Sequence, residues 1–395
     1  MGEFIVTGCS FDCGGNCLLK VYVEEGRITR IAPDDLPDSL ATPQLRPCAR
    51  GLAHLQRVYA PDRLRHPLKR VGERGEGHFE RISWDEALDT VARELARVKE
   101  TYGPQAIFNL CGGGDIDSRL HHTVAVPMRF FQFFGGYTGV STITSFQSVL
   151  YACRHTFGMP VPDSDRENLL KSRLIIMWGC NPAVSLKGTN TNWYLAQAKE
   201  KGVRFIFVDP IFTESAAALA DEWIPIRPGS DTAALLAMAY VIITEDLYDR
   251  DFLDKHTFGF DKFSDYCLGV EDGIAKTPAW AEPITGVPAE TLARLARDYA
   301  TSKPANLRAG WAPGRTAFGE QFHRAAIALA AITGNTASRE EAPACGCQIA
   351  LARASSTGWA PSPLAPTPCA NGSPTSHGPT PSSREPPAAI PATSR

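Results

Sequence analysis

Apolar positions recur along this chain at two different periods, and the alternation between them outlines the fold. Leu19–Val23 and Arg27–Ile31 are short runs rich in apolar residues, and Glu24-Glu25-Gly26 separates them, which predicts a β-hairpin. Ser83-Trp84-Asp85-Glu86 is a capping box, with Ser83 as N-cap and Glu86 three residues on. Leu88, Val91, Ala92, Leu95 and Val98 follow at helical spacing, and Gly103-Pro104 ends that helix. Ala106–Leu110 is the strand expected after it. From about residue 170 to 310 strands and helices alternate. Leu174–Trp178, Val203–Val208, Trp223–Ile226 and Asn306–Ala309 are the strands. The helices are a stretch ending at Lys201, a long apolar one from Thr232 to Ile243, and another over Ala289–Tyr299. This order predicts a parallel sheet with crossover helices, whose ligands sit outside the carboxyl ends of the strands. Ala325–Thr333 reads as a further apolar helix.

The pattern changes near Thr336. Ala342–Arg395 is dominated by Pro, Ser, Ala and Thr without periodicity, so it is expected to be disordered. The fold class is therefore α/β and multi-domain. A small β-rich domain is expected at 1–52, an α/β domain at 53–168 that is partial and resumes near 310–335, a Rossmann-like parallel-sheet domain at 169–309, and a disordered tail at 336–395.

Composition narrows the function. With 395 residues and a net charge of -3, nothing favours nucleic acid or an anionic membrane surface as partner. No apolar run approaches the ~20 residues of a membrane helix, so direct membrane insertion is not expected. The first ten residues lack the basic and apolar regions of a signal peptide and a twin-arginine pair, which points to the cytoplasm. An exported complex follows if a twin-arginine signal lies upstream.

There are eleven cysteines, and an odd number without an export signal favours metal binding over a disulfide scaffold. Three residues separate Cys9 from Cys13 and Cys13 from Cys17, and thirty residues separate Cys17 from Cys48. Three thiolates from one tight loop and a fourth from a distant segment can enclose an iron–sulfur cubane, with Gly14-Gly15 keeping the loop compact. Structural zinc is the alternative, but it commonly uses two short cysteine pairs. Cys111, Cys153, Cys180 and Cys267 stand alone and read as core or loop residues. Cys345, Cys347 and Cys369 fall in the tail.

Several segments, taken in order, resemble the dimethyl sulfoxide reductase family of molybdopterin oxidoreductases. They are Cys9-x3-Cys13-x3-Cys17 with Cys48-Ala49-Arg50-Gly51; Pro61-Asp62-Arg63-Leu64 with Arg81 to Ala87; Trp178-Gly179-Cys180-Asn181-Pro182; Val208-Asp209-Pro210; Trp223 to Asp231; and Thr333-Gly334-Asn335. The resemblance runs from about Cys9 to Asn335. It implies a [4Fe–4S] cluster on the four cysteines and molybdenum held by two molybdopterin guanine dinucleotides. It also implies a role for Arg50 between cluster and pterin, where a fixed cation stabilises charge on reduced centres. For the dinucleotide it implies Trp178, Gly179, Asn181, Asp209, Gly229, Asp231, Gly310 and Trp311. Chemistry supports several of these. Gly179 permits a sharp turn after a strand, Asn181 offers amide donors and an acceptor, and Asp209 is placed to accept from ribose hydroxyls. Gly229 and Asp231 open a helix, where N–H groups favour anions and Asp can pair with guanine donors.

In that branch the metal ligand is a serine after a Gly-Gly-Tyr-like segment. Here Gly135-Gly136-Tyr137 precedes Ser141, Ser145 and Ser148, and alignment on Thr156-Phe157-Gly158 places Ser145 at the ligand position. Ser148 is the second choice. Two features depart from the family. Ile211 stands where relatives often carry Arg, and after Asn335 the expected Gly-rich turn and later domains are missing. The expected activity is oxygen-atom transfer to or from a small oxide, an S-oxide or N-oxide, with electrons crossing the cluster to or from an iron–sulfur partner subunit. The alternatives are a formate dehydrogenase-like relative, disfavoured because no Cys occupies the ligand loop, and an inactive fragment that binds only a cluster.

Overall fold

The computed structural model describes residues 4–9, 17–33, 35–39, 44–110, 122–139, 147–158, 166–185, 190–335 and 347–349. All of them fall in one unit, Met1–Ser355. Cys13, Ser141, Ser145 and Cys111 lie outside the described residues, as does the tail apart from 347–349.

Three strands open the chain: β1 (Phe4–Gly8), β2 (Leu18–Glu24) and β3 (Arg27–Pro33) form an antiparallel sheet in sequence order. The expected hairpin is β2–β3, and its turn places Glu25 and Gly26 at positive φ, the backbone that a tight two-residue connection needs. Strand β1 was not expected. Its side chains are all exposed, so its place comes from backbone pairing with β2 rather than from burial. Two short helices follow, α1 (Ala49–Leu52) and α2 (His54–Val58).

Next come the hairpin β4 (Leu68–Arg70) and β5 (Phe79–Arg81), and helix α3 (Trp84–Tyr102). Ser83 caps α3 as expected, its hydroxyl accepting from the Glu86 N–H at 3.1 Å. The strand expected over Ala106–Leu110 shrinks to β6 (Phe108–Asn109), because Pro104–Ala106 closes a 3₁₀ turn. Helix α4 (Ala125–Phe134) ends at Gly135 in the left-handed region, and β7 (Thr138–Gly139) pairs with β6. Helix α5 spans Gln147–Phe157.

The remainder is a parallel sheet between two layers of helices. In chain order its elements are β8 (Leu174–Trp178), α6 (Thr191–Glu200), β9 (Arg204–Val208), α7 (Glu214–Leu219), β10 (Glu222–Ile224) and α8 (Asp231–Thr244). Then come α9 (Arg250–His256), α10 (Phe260–Leu268), α11 (Pro278–Thr285), α12 (Ala289–Thr301), β11 (Ala305–Ala309) and α13 (Glu320–Ile332). Strand order is β10-β9-β8-β11, extended by a strand β12 (Cys347–Ile349), all parallel. Alternation along β8 divides the interior. Leu174, Ile176 and Trp178 enter one core with α5, α8, α11, α12 and α13, while Ile175 and Met177 enter another with α6. Burial on both faces explains why these strands read as continuous apolar runs. Strand β12 is the one described element past residue 335, three residues paired with β11. A parallel edge offers unpaired N–H and C=O groups, and a strand can join it without an apolar signature of its own. Among the described residues no helix is long and apolar enough to cross a membrane.

Candidate functional site

Two neighbouring regions gather the expected residues. The first is built where β1 and β2 end. The Cys9 N–H donates to the Cys17 carbonyl at 2.8 Å, and both side chains are buried with Leu19. Cys48 arrives from the turn into α1. Burial raises its thiol pKa, but the N–H groups of Gly51 and Arg50 and the Arg50 guanidinium outweigh burial and hold it below the ordinary value. Such donors favour thiolate, the form that binds iron. Gly51 lies against Cys9 as well: a Cβ there would meet the Cys9 sulfur at 3.4 Å. Cys9 and Cys48 therefore flank one glycine, with Arg50 beside them. Among the described residues no three His, Cys, Asp or Glu side chains group as a single ion requires. The buried Cys9 and Cys17 and the backbone N–H donors at the half-buried Cys48 fit a cluster, for which N–H···S contacts are a tuning device. The His54 Nε2 lies 3.6 Å from the Cys9 sulfur, a contact that sequence reading missed.

The second region lies outside the carboxyl ends of β8 and β11. Gly179 and Gly310 cross there. The Gly310 N–H donates to the Trp178 carbonyl at 2.7 Å, and a Cβ on Gly310 would fall 1.8 Å from the Gly179 oxygen. Gly179 has φ +57, and a Cβ there would meet Pro313 at 2.6 Å. Only glycine lets these two chain ends approach, and between them opens a cavity of about 140 Å³ lined by Gly179, Cys180, Asn181, Arg308, Gly310 and Trp311 among others. Here sits Arg308, a buried cation on β11 that sequence reading also missed. Its one signal was a charge inside an apolar strand. It bears on Cys180, whose thiol pKa burial nonetheless pushes up.

Two acidic residues stand near these strand ends, Asp209 directly after β9 and Asp231 at the start of α8. The Trp178 Nε1 donates to the Asp231 Oδ1 at 2.8 Å, and burial raises the Asp231 carboxyl above the usual range. Asp209 is raised by burial and further by the Asp231 charge, while the Ile211 N–H works against both. Gly229, at φ +80, ends the turn before α8 and Asp231 is its first residue. The Asn181 amide is engaged within the protein: it donates to Glu214 at 2.8 Å and accepts from the Ser215 hydroxyl at 2.7 Å. These bonds hold the side chain at the rim of the cavity and use one of the two N–H donors of its amide. Ser148, the second choice for the metal ligand, donates its hydroxyl to the Gly314 carbonyl. Opposite it lies His323, fully buried, with no hydrogen-bond partner on either ring nitrogen among the described residues. Burial takes its pKa down to about 3.

The two regions are tied together by Asn190. Its amide donates to the Gln44 carbonyl at 2.6 Å and accepts from the Arg46 N–H at 3.3 Å, while the Arg46 guanidinium stacks 4.6 Å from the Trp193 ring. The cavity-lining Thr191 is the next residue along. The segment leading to Cys48 is thereby fastened to the start of α6.

Comparison with known proteins agrees with this layout. The molybdopterin oxidoreductase family matches residues 63–360, and the molybdopterin oxidoreductase Fe4S4 domain matches residues 3–60. The chain belongs to the molybdopterin oxidoreductase family. A [4Fe–4S] cluster and a molybdenum–molybdopterin cofactor are its groups. The chain is 39% identical over 345 residues to the probable dimethyl sulfoxide reductase chain YnfF of Escherichia coli (strain K12), covering 83% of this chain and 42% of that protein. It is 38% identical over 354 residues to the dimethyl sulfoxide reductase DmsA of the same organism, covering 84% and 44%. Among solved structures, acetylene hydratase from Pelobacter acetylenicus superposes with a TM-score of 0.63 at 26% identity, over 84% of this chain and 43% of that one. The chain thus spans less than half the length of these relatives.

Proposed function

We propose that this chain forms the cluster-bearing and dinucleotide-binding part of a catalytic subunit that transfers an oxygen atom from a small S-oxide or N-oxide. The observation that carries the reading is the Gly179–Gly310 crossing beside a cavity lined by Arg308 and Arg315, with Asp231 bonded to the indole of Trp178, the residue before Gly179. The molybdenum cofactor, when bound, supplies the oxygen-atom and two-electron chemistry. The chain's own residues bind and orient. Backbone at Gly179 and Gly310 admits close approach, the buried Arg308 charge suits a diphosphate, and the acidic pair suits the donors of a guanine and a ribose. Cys9, Cys13, Cys17 and Cys48 hold the cluster, and Arg50 beside Cys48 favours its reduced state. Ser145, which lies outside the described residues, is the proposed metal ligand, and two guanine dinucleotides are the proposed cofactor form. Electrons come from an iron–sulfur partner subunit.

Anaerobic purification followed by iron, sulfide and molybdenum assay, with reduced-dye-linked S-oxide reduction, tests the reading. Cubane stoichiometry, molybdenum and turnover together support it. Iron without molybdenum limits the chain to cluster binding, and stoichiometric zinc overturns it. Ser145→Ala is expected to keep the iron and change the molybdenum signal.

A further inference from the structure

We infer that His54 is a positioning residue for the iron–sulfur cluster: its Nε2–H donates to the Cys9 thiolate and raises the cluster's reduction potential. The inference rests on the assignment of the cluster to these cysteines and adds a residue that this assignment does not include.

The geometry is specific. His54 is the first residue of α2, and Gly51 and Leu52 bring the chain round from Cys48 so that the imidazole points back at β1. Its Nε2 stands 3.6 Å from the Cys9 sulfur, within the reach of an N–H···S hydrogen bond. The ring is half-buried and the sulfur is buried, so solvent competes weakly for the contact. A free thiol and a neutral imidazole could bond in either direction. A cysteine bound to iron has lost its proton and can only accept, so the proton must sit on Nε2. Neutral and protonated imidazole both satisfy this, so no titration is needed.

The consequence is electrostatic. When one electron enters the cluster, its net charge becomes more negative by one and part of that charge spreads onto the thiolates. A donor aimed at one thiolate stabilises the reduced state more than the oxidised one, and hydrogen bonds to sulfur are among the levers that set cluster potentials. No proton moves and no bond to iron changes. Cys48 receives its donors from the backbone and Arg50, whereas Cys9 receives His54. Donors of two kinds thus serve thiolates on opposite sides of Gly51.

The test is a potentiometric titration of the whole chain, purified anaerobically and followed by electron paramagnetic resonance, with iron and sulfide assayed in every sample. His54→Ala is expected to keep the iron content and to move the midpoint to a more negative potential. His54→Gln, which keeps an N–H donor of similar reach, is expected to recover most of that shift. An unchanged midpoint in His54→Ala overturns the inference, as does a His54→Gln midpoint equal to that of His54→Ala. Should His54→Ala lose its iron, His54→Gln decides: a wild-type midpoint supports the inference, and loss of iron there too overturns it. Absence of iron from the wild-type chain would instead remove the cluster assignment on which the inference stands.

Discussion

Helices α3 and α8 are both long, and they are held by opposite means. Of the fourteen residues of α8, nine are buried, and the helix is apolar all round. It is stable because the sheet and the helices around it exclude water from its surface. Of the nineteen residues of α3, none is buried, although its apolar positions follow helical spacing. Trp84, Leu88 and Val91 stand 66%, 60% and 57% exposed along one side. Local devices hold α3 instead: the Ser83 cap, Asp85 and Glu86 in the first turn, and the Glu94–Arg97 pair at 2.7 Å. An amphipathic pattern therefore states which face can be buried, while only the neighbouring elements decide whether it is.

This contrast can be tested by size of effect. Leu235→Ala, in the middle of α8, is expected to cost about 3 kcal/mol, from lost transfer energy and a cavity the packed core cannot close. The midpoint of urea unfolding measures it. The next effect depends on pH. His323 has a pKa of about 3 in the fold against 6.5 as its ordinary value. Between those limits the unfolded chain binds a proton that the folded chain refuses, so stability is complete above about pH 6.5 and declines as pH falls toward 3. From pH 7 to pH 5 the loss from this group is about 2 kcal/mol. His323→Leu should flatten that part of the profile, and a slope left unchanged in the variant would show that His323 is not buried as a neutral ring.

Ser83→Ala is expected to cost about 1 kcal/mol, confined to α3, and to speed amide hydrogen exchange there while leaving α8 untouched. Leu88→Ala should change stability by less than about 0.5 kcal/mol. If Leu88→Ala cost as much as Leu235→Ala, α3 would be covered in solution and the contrast would fail.

The same contrast explains what could be read from sequence. β8, β9 and β11 were legible because burial on both faces writes an apolar run into the chain. The Ser83 cap was legible because its partner is three residues away. β1 and β12 were not, since backbone pairing with a neighbour leaves no mark in side-chain chemistry. The cysteine spacing pointed to a cluster, yet His54, Arg308 and Asn190 escaped notice. Each matters through a partner or a cavity wall supplied by distant sequence: Cys9 for His54, Gly179 and Cys180 for Arg308, and Gln44 for Asn190. Asn181 was expected at the dinucleotide; it lines the cavity, and its bonds to Glu214 and Ser215 are visible only in the fold.

The Asn190 tie also has a history built into it. The segment before Cys48 is fastened by a residue that the ribosome adds 146 positions after Gln44. At elongation rates of about 5–20 residues per second, roughly 10 s pass before that fastener exists. During the interval the four cysteines are already made, while the segment before Cys48 lacks its tie to α6. Asn190→Ala should accordingly lower the iron content of the purified chain before it lowers the stability of the parallel sheet, a delay set by the distance between two amino acids in the gene.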